Sequence, residues 1–301
     1  MLLHYMKSKI IDAVESNTDI LALAEGLYKL NHHQAIYFEI EAINKVSTFM
    51  PELYPGAPRH ERRKMQEIIN VWTLSKFCHY AENLGAYSLA FLVSYTDPRD
   101  EINGILKYIV KYNMGQIVDF FSHIKKRDES YISKFLGYPA PRLENADTAN
   151  IFRRSCDTVK DVLVKVARNY IERYDFYAAY KHGYRIMTGQ ANGSMDIITY
   201  IDNDGNQKYF QITEREIREI RVLSKQCSMI LDCIFENHHE RIRRETIQGK
   251  STVRLKTILK NDTSREEQWL SIVYPTRGQS LKIINYLLEM ESLISTLAIS
   301  K

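Results

Sequence analysis

Along most of the chain the apolar residues return every three or four positions, and near residue 194 that rhythm changes to every second position. Helical patterns cover roughly 5–30 and 31–50 before the three prolines of "MPELYPGAPRH" break them. From Met65, the residues Ile68, Ile69, Trp72, Phe77, Tyr80, Leu84, Tyr87, Phe91 and Tyr95 predict one very long helix that ends at "TDPRD". Residues 101–122 repeat the helical period, and 128–136 offer a short third segment. Phe152, Cys156, Val159, Leu163, Val166 and Tyr170 then form an apolar stripe at helical spacing, leading into the decapeptide "FYAAYKHGYR", 176–185.

Beyond it the period is two. "SMDIITYI" and "QKYFQI" flank "DNDGN", whose Asp204-Gly205 suits a tight turn needing positive φ, so a hairpin is expected at about 194–212. Thr213 with Glu216 three residues later is a capping box, and it opens a helix that should run to about Gln248, with Gly249 past its end. "STVRLKTIL" (251–259) and "QWLSIVY" (268–274) predict two more strands, which would extend the hairpin into one small antiparallel sheet; a helix over 279–298 closes the chain. The fold class is mainly α, a long-helix bundle with a small inserted antiparallel β-sheet, α+β overall. Its divisions are an N-terminal helical segment (1–55), a helical bundle core (56–193) and a mixed segment (194–301) packed on that core as one compact unit.

Composition changes this picture little. Twelve Gly and 7 Pro in 301 residues leave few turns, in keeping with long helices, and 45% apolar content fills an ordinary core. No run approaches the roughly 20 apolar residues of a membrane span, and the start "MLLHYMKSKIIDAVESNTD" meets charge too early for a secretory signal, so the expectation is a cytoplasmic protein. Cys78, Cys156, Cys227 and Cys233 lack any C-x-x-C or disulfide-framework spacing and read as reduced thiols.

A formal charge of +4 is too small to argue for nucleic acid by itself. Two windows are locally basic: Arg59, His60, Arg62, Arg63 and Lys64, and the run Arg241, Arg243, Arg244, Lys250, Arg254, Lys256, Lys260. Each fits a solvated face or a phosphate-binding patch.

The dinucleotide, P-loop, metalloprotease, nucleophile-elbow and zinc-finger signatures are all missing. Glu236 and His239 make a single Glu-x-x-His, and a four-helix di-iron site needs two. They read with His238 and Glu240 as the exposed polar face of a helix, and no metal or cofactor is expected. Cys78, His79 and Glu82 form a helix-spaced trio that reads as core and rim packing.

The decapeptide carries more chemistry. His182 is an imidazole able to act as acid or base, Lys181 and Arg185 are cations able to hold phosphate oxygens, and Tyr177, Tyr180 and Tyr184 offer rings for base stacking. The same Lys, His and Arg would equally suit a helix C-terminus by complementing its dipole.

A Tyr-Lys-His-Gly element (Tyr180 to Gly183) after a long helix, within a core of long antiparallel helices, resembles the HEPN superfamily of helical-bundle proteins found among prokaryotic toxins, antiphage systems and RNA-processing factors. The likeness covers about 59–185, with 214–248 as a further candidate part. It implies an RNA- or nucleotide-binding protein, a homo-oligomer, and, if an enzyme, a metal-independent ribonuclease in which His182 moves the proton while Lys181 and Arg185 stabilise phosphorane charge. Arg241, Arg243 and Arg244 would add nucleic-acid contacts. The chain departs from the ribonuclease members in having no arginine four to six positions before a histidine. The alternative is a non-catalytic oligomeric scaffold for protein interaction.

Overall fold

The structure is a computed structural model, and it describes residues 38–46, 56–93, 98–138, 146–181, 186–191, 195–202, 204–246, 252–260 and 265–273. The helices expected over 5–30 and 279–298 lie outside the described residues, and of 31–50 a helical stretch over 38–46 (α1) is described. The helices that follow are α2 (Arg59–Leu92), α3 (Pro98–Lys111), α4 (Met114–His123), α5 (Glu129–Phe135), α6 (Ala146–Glu172), α7 (Tyr174–Lys181) and α8 (Glu214–Thr246). Strands β1 (Ile186–Ala191), β2 (Met195–Ile201) and β3 (Gln207–Ile212) precede α8, and β4 (Thr252–Lys260) and β5 (Arg265–Val273) follow it. The protein is therefore mainly helical with a small antiparallel β component.

Helix α2 is the axis of the molecule, about 50 Å long. It starts where Pro58 supplies a φ of −54° and a carbonyl that accepts from the amides of Glu61 and Arg62. From Leu74 to Phe91 it is enclosed, with Leu74, Phe77, Cys78, Tyr80, Ala81, Leu84 and Ala90 fully buried. Helices α3, α4, α5 and α8 pack around it. The approach of α4 is close because position 85 is glycine; a Cβ there would lie 2.9 Å from Ile117 Cγ2 and 3.2 Å from Phe121 Cε2.

The continuous periodicity over 101–122 is two helices, not one. Asn113 stops the first and caps the second: its side chain accepts from Gln116 N at 2.9 Å while the Gln116 side chain accepts from Asn113 N at 3.1 Å. An apolar period runs through such a break unchanged, so the cap residue, not the period, marks the boundary.

The hairpin at 194–212 forms as β2–β3, with Gly205 at φ 84° and Asp202 Oδ1 accepting from the amides of Asp204 and Asn206. Strand β1 was not anticipated; it pairs antiparallel with β2 to give the order β1-β2-β3. The inner face, Ile198, Tyr200, Phe210 and Ile212, packs toward α7, where Phe176 meets the Phe210 ring at 5.4 Å and the Tyr200 ring at 6.2 Å. The Thr213–Glu216 capping box opens α8 as expected, with Glu216 N donating to Thr213 Oγ1 at 3.2 Å and Thr213 N to Glu216 Oε2 at 2.8 Å.

Strands β4 and β5 do not extend that sheet but form a separate antiparallel pair. The reason is a better partner. The open edge of β4 is closed by side chains of helices: Asn237 of α8 accepts from Lys256 N at 2.6 Å and donates to Lys256 O at 3.0 Å, and Ser155 Oγ of α6 accepts from Ile258 N at 2.9 Å. A strand sealed this way needs no further strand beside it. The four cysteines are free and buried.

Candidate functional site

The site that the geometry assembles is centred on Glu82, in the middle of α2. Its side chain is 3% exposed and its two oxygens receive four hydrogen bonds. Tyr112 Oη donates to Oε1 at 2.5 Å and Tyr177 Oη to Oε2 at 2.7 Å, while Lys181 Nζ lies 2.8 Å from Oε1 and 2.6 Å from Oε2. The chain brings these residues together because α7 folds back against α2 directly after α6, with Tyr177 N donating to Arg173 O to restart the helix.

The network continues outward from Tyr177. Its hydroxyl donates to Glu82, so its oxygen accepts from His79 Nδ1–H at 3.2 Å, and His79 Nε2 in turn accepts from Asn83 Nδ2 at 3.3 Å. That fixes a neutral tautomer, and burial pushes the imidazole below its ordinary range in the same sense. For Glu82, burial alone would raise the carboxyl, but the hydrogen bonds from Lys181, Tyr112 and Tyr177 outweigh it and hold it below the ordinary value. Burial beside this carboxylate raises Tyr112 and Tyr177, so both remain phenols. Burial likewise pushes the neighbouring Cys78 thiol up to about 12, which leaves no thiolate at neutral pH.

Lys181 is the outward-facing end of this network. Two of its three N–H groups point at Glu82, and the Met114 thioether, a weak acceptor, lies 3.8 Å away. Its side chain is 38% exposed, and Tyr180, the residue before it, is 40% exposed with its ring 6.5 Å from that of Phe176.

The other expected site residues fare differently. Tyr177 does not offer a ring to a base: it is 2% exposed, because its hydroxyl is needed at Glu82. His182, Tyr184 and Arg185 lie outside the described residues, as do the side chains of Arg243 and Arg244. Arg241 is paired with Glu101, and Lys256, in the same basic window, is paired with Asp232 and, at 3.1 Å, with Glu267. These two cations are therefore already neutralised. Arg254 lies over the half-exposed Trp269 ring at 5.1 Å. In the first window Arg59, His60, Arg62, Arg63 and Lys64 are exposed, but the 23 residues from Arg59 to Glu82 put roughly 35 Å of helix between them and Lys181.

The segment Glu236 to Glu240 is not an exposed polar face. His238 and His239 are buried at 5% and 8% exposure. His238 Nε2 faces Phe135 O at 3.0 Å, Nδ1 faces Glu101 Oε1 at 3.2 Å, and the ring lies 4.0 Å from that of Phe91. Burial would raise Glu101, but His238 and Arg241 bring it down to about 2. This cluster ties α2, α3, α5 and α8 together. Among the described residues no group of three His, Cys, Asp or Glu side chains is placed to hold a metal, and no helix is long and apolar enough to cross a membrane.

No family model, curated protein or solved structure matches the chain.

Sequence reasoning singled out Lys181 and Tyr177 but missed Tyr112, Glu101 and Asn237. Glu82 was visible as part of the trio with Cys78 and His79. Its partners lie 30, 95 and 99 residues away, a separation that no local pattern reports.

Proposed function

We propose that the protein is a HEPN-like helical protein that binds RNA or a nucleotide through phosphate contacts where α7 ends. The observation that carries this reading is the anchored ammonium of Lys181, held half-exposed on a buried carboxylate, with the exposed Tyr180 preceding it and His182 and Arg185 within the next four positions of the sequence. A phosphate oxygen would replace the Met114 thioether as acceptor for the third N–H of Lys181, and Tyr180 would give a base a face to stack on. Glu82 cancels most of the positive charge of Lys181, so here Lys181 fixes geometry, and Arg185 supplies the stronger anion contact. If RNA is cleaved, His182 is the group that moves the proton.

The test is retention and cleavage of labelled cellular RNA by the wild type and by His182→Ala at low and moderate salt. Cleavage lost in the variant supports a ribonuclease, and salt-sensitive retention without cleavage supports a binding protein. Neither result would leave the α7 end as a helix cap.

A second reading, an oligomeric interaction scaffold, draws on the outer face of the β1-β2-β3 sheet. The row Met187, Thr199, Tyr209 and its neighbours Ile197, Ile201, Gln207 and Gln211 carry no formal charge, with Met187 61% and Tyr209 69% exposed. This face suits a second copy of the chain. Mass measured under native conditions for wild type and Tyr209→Lys tests it: a dimer lost in the variant supports the scaffold, and a monomer in both removes it.

A further inference from the structure

One face of the β4–β5 hairpin sets a tryptophan among cations that the fold leaves unpaired. Side chains alternate between the faces of a strand, and the register opposes Lys256 to Trp269, Ile258 to Glu267 and Lys260 to Arg265. On the opposite face Leu255, Thr257 and Leu259 are buried, and Leu270 packs against the core. Trp269 is not drawn in with them and stays 43% exposed. Arg254 and Lys256 both lie over its ring, their cationic groups 5.1 and 5.2 Å from its centre.

The cations of this face differ in what they already hold. Lys256 is buried and paired twice, with Asp232 of α8 and, at 3.1 Å, with Glu267. Arg254, Lys260 and Arg265 have no carboxylate within ion-pair distance among the described residues, and Arg254 and Lys260 are exposed. Lys260 and Arg265 stand directly opposite one another, and like charges so placed destabilise a sheet. Arg254, Lys256, Lys260 and Arg265 against Asp232 and Glu267 leave the face with a net charge of +2. A cation is repelled there, and an apolar partner would cover Arg254 and Lys260 without giving them an acceptor. An anion relieves the repulsion between Lys260 and Arg265. The four residues from Arg265 to Trp269 span about 13 Å, too far for a single phosphate group to serve both. A single strand of nucleic acid meets both demands, since it repeats its phosphates and offers unpaired bases to an aromatic ring.

We propose that this face of the β4–β5 hairpin is a contact surface for single-stranded nucleic acid. A base takes the Trp269 ring from Arg254, whose guanidinium turns to a phosphate, while Lys260 and Arg265 hold a phosphate further along the strand. The surface is built by β4 and β5 and does not depend on the α7 reading. The chain has two tryptophans, Trp72 and Trp269, so fluorescence reports on the surface directly. The experiment titrates the full chain with a short unlabelled oligothymidylate and, separately, with inorganic polyphosphate, following tryptophan emission at several salt concentrations. The oligonucleotide should quench the wild type saturably, and the quenching should vanish in Trp269→Phe. Polyphosphate, which has the charge but no rings, should not quench. Arg254→Gln and Lys260→Gln should each bind more weakly and lower the slope of log affinity against log salt by about 0.7. Quenching should persist in Lys181→Gln, so a failure at α7 and a failure here give different results. The proposal is overturned by no quenching of the wild type, by equal quenching in Trp269→Phe, by equal quenching with polyphosphate, or by unchanged affinity and slope in both glutamine variants. Those two variants alter exposed side chains, so they decide the matter if Trp269→Phe does not fold.

Discussion

Glu82 is a carboxylate whose four hydrogen bonds all come from the protein itself. Replacing it by glutamine keeps the volume but removes the charge that holds Lys181 and two phenols. Breaking a fully buried pair costs roughly 3–5 kcal/mol, and Lys181 is partly exposed, so Glu82→Gln should lower stability in urea by about 1–3 kcal/mol. Tyr177→Phe, which removes one donor to that carboxylate and the acceptor for His79, should cost about 1–2 kcal/mol in the same measurement. Glu101 sets a pH dependence. Its carboxyl falls from an ordinary 4.5 to about 2 in the folded protein, so the stability it contributes is present above about 4.5 and is lost as pH falls toward 2. The stability gap between wild type and Glu101→Gln, measured in urea at pH 6, 4.5 and 3, should therefore shrink as the solution becomes acidic. A gap that stays constant would remove Glu101 as the cause.

At the scale of elements, two contacts decide how helices and strands meet. Gly85→Ala would place a methyl group against Ile117 and Phe121, forcing α2 and α4 apart, and should cost about 1–3 kcal/mol by urea denaturation. Asn237→Leu fills the same space but leaves the amide of Lys256 and the carbonyl of Leu136 unpaired, and the carbonyl of Lys256 with only the weak Cys233 thiol donor. About 2–4 kcal/mol and loss of hydrogen-exchange protection at the Lys256 amide should follow. The elements themselves were largely legible in the sequence: α2 from its apolar stripe, α8 from Thr213 and Glu216, the β2–β3 turn from Asp204-Gly205. The α3–α4 break, the β1 strand and the separate β4–β5 pair were not. Each depends on a partner that periodicity does not encode: the reciprocal cap of Asn113 and Gln116, the β2 edge that β1 joins, and the Asn237 side chain that imitates a neighbouring strand. The burial of "ENHHE" escaped notice for the same reason, because polar residues look exposed until the carbonyl of Phe135 and the carboxylate of Glu101 are in place.

At the scale of the whole molecule, a long central helix carries a buried polar network whose outward end is Lys181, and the three-stranded sheet is fastened to the same short helix through Phe176. The candidate site was half legible: "YKHG" marked the position, while the carboxylate that organises it sits 99 residues earlier in the chain. The most direct test of the phosphate-binding account is the salt dependence of single-stranded RNA retention, compared between wild type and Lys181→Gln. The account predicts that log affinity falls linearly with log salt for the wild type, and that the variant binds less tightly to all sequences with a slope smaller by well under one, because Glu82 already cancels most of the Lys181 charge. Retention that is absent, or that keeps the same affinity and slope in Lys181→Gln, would contradict it.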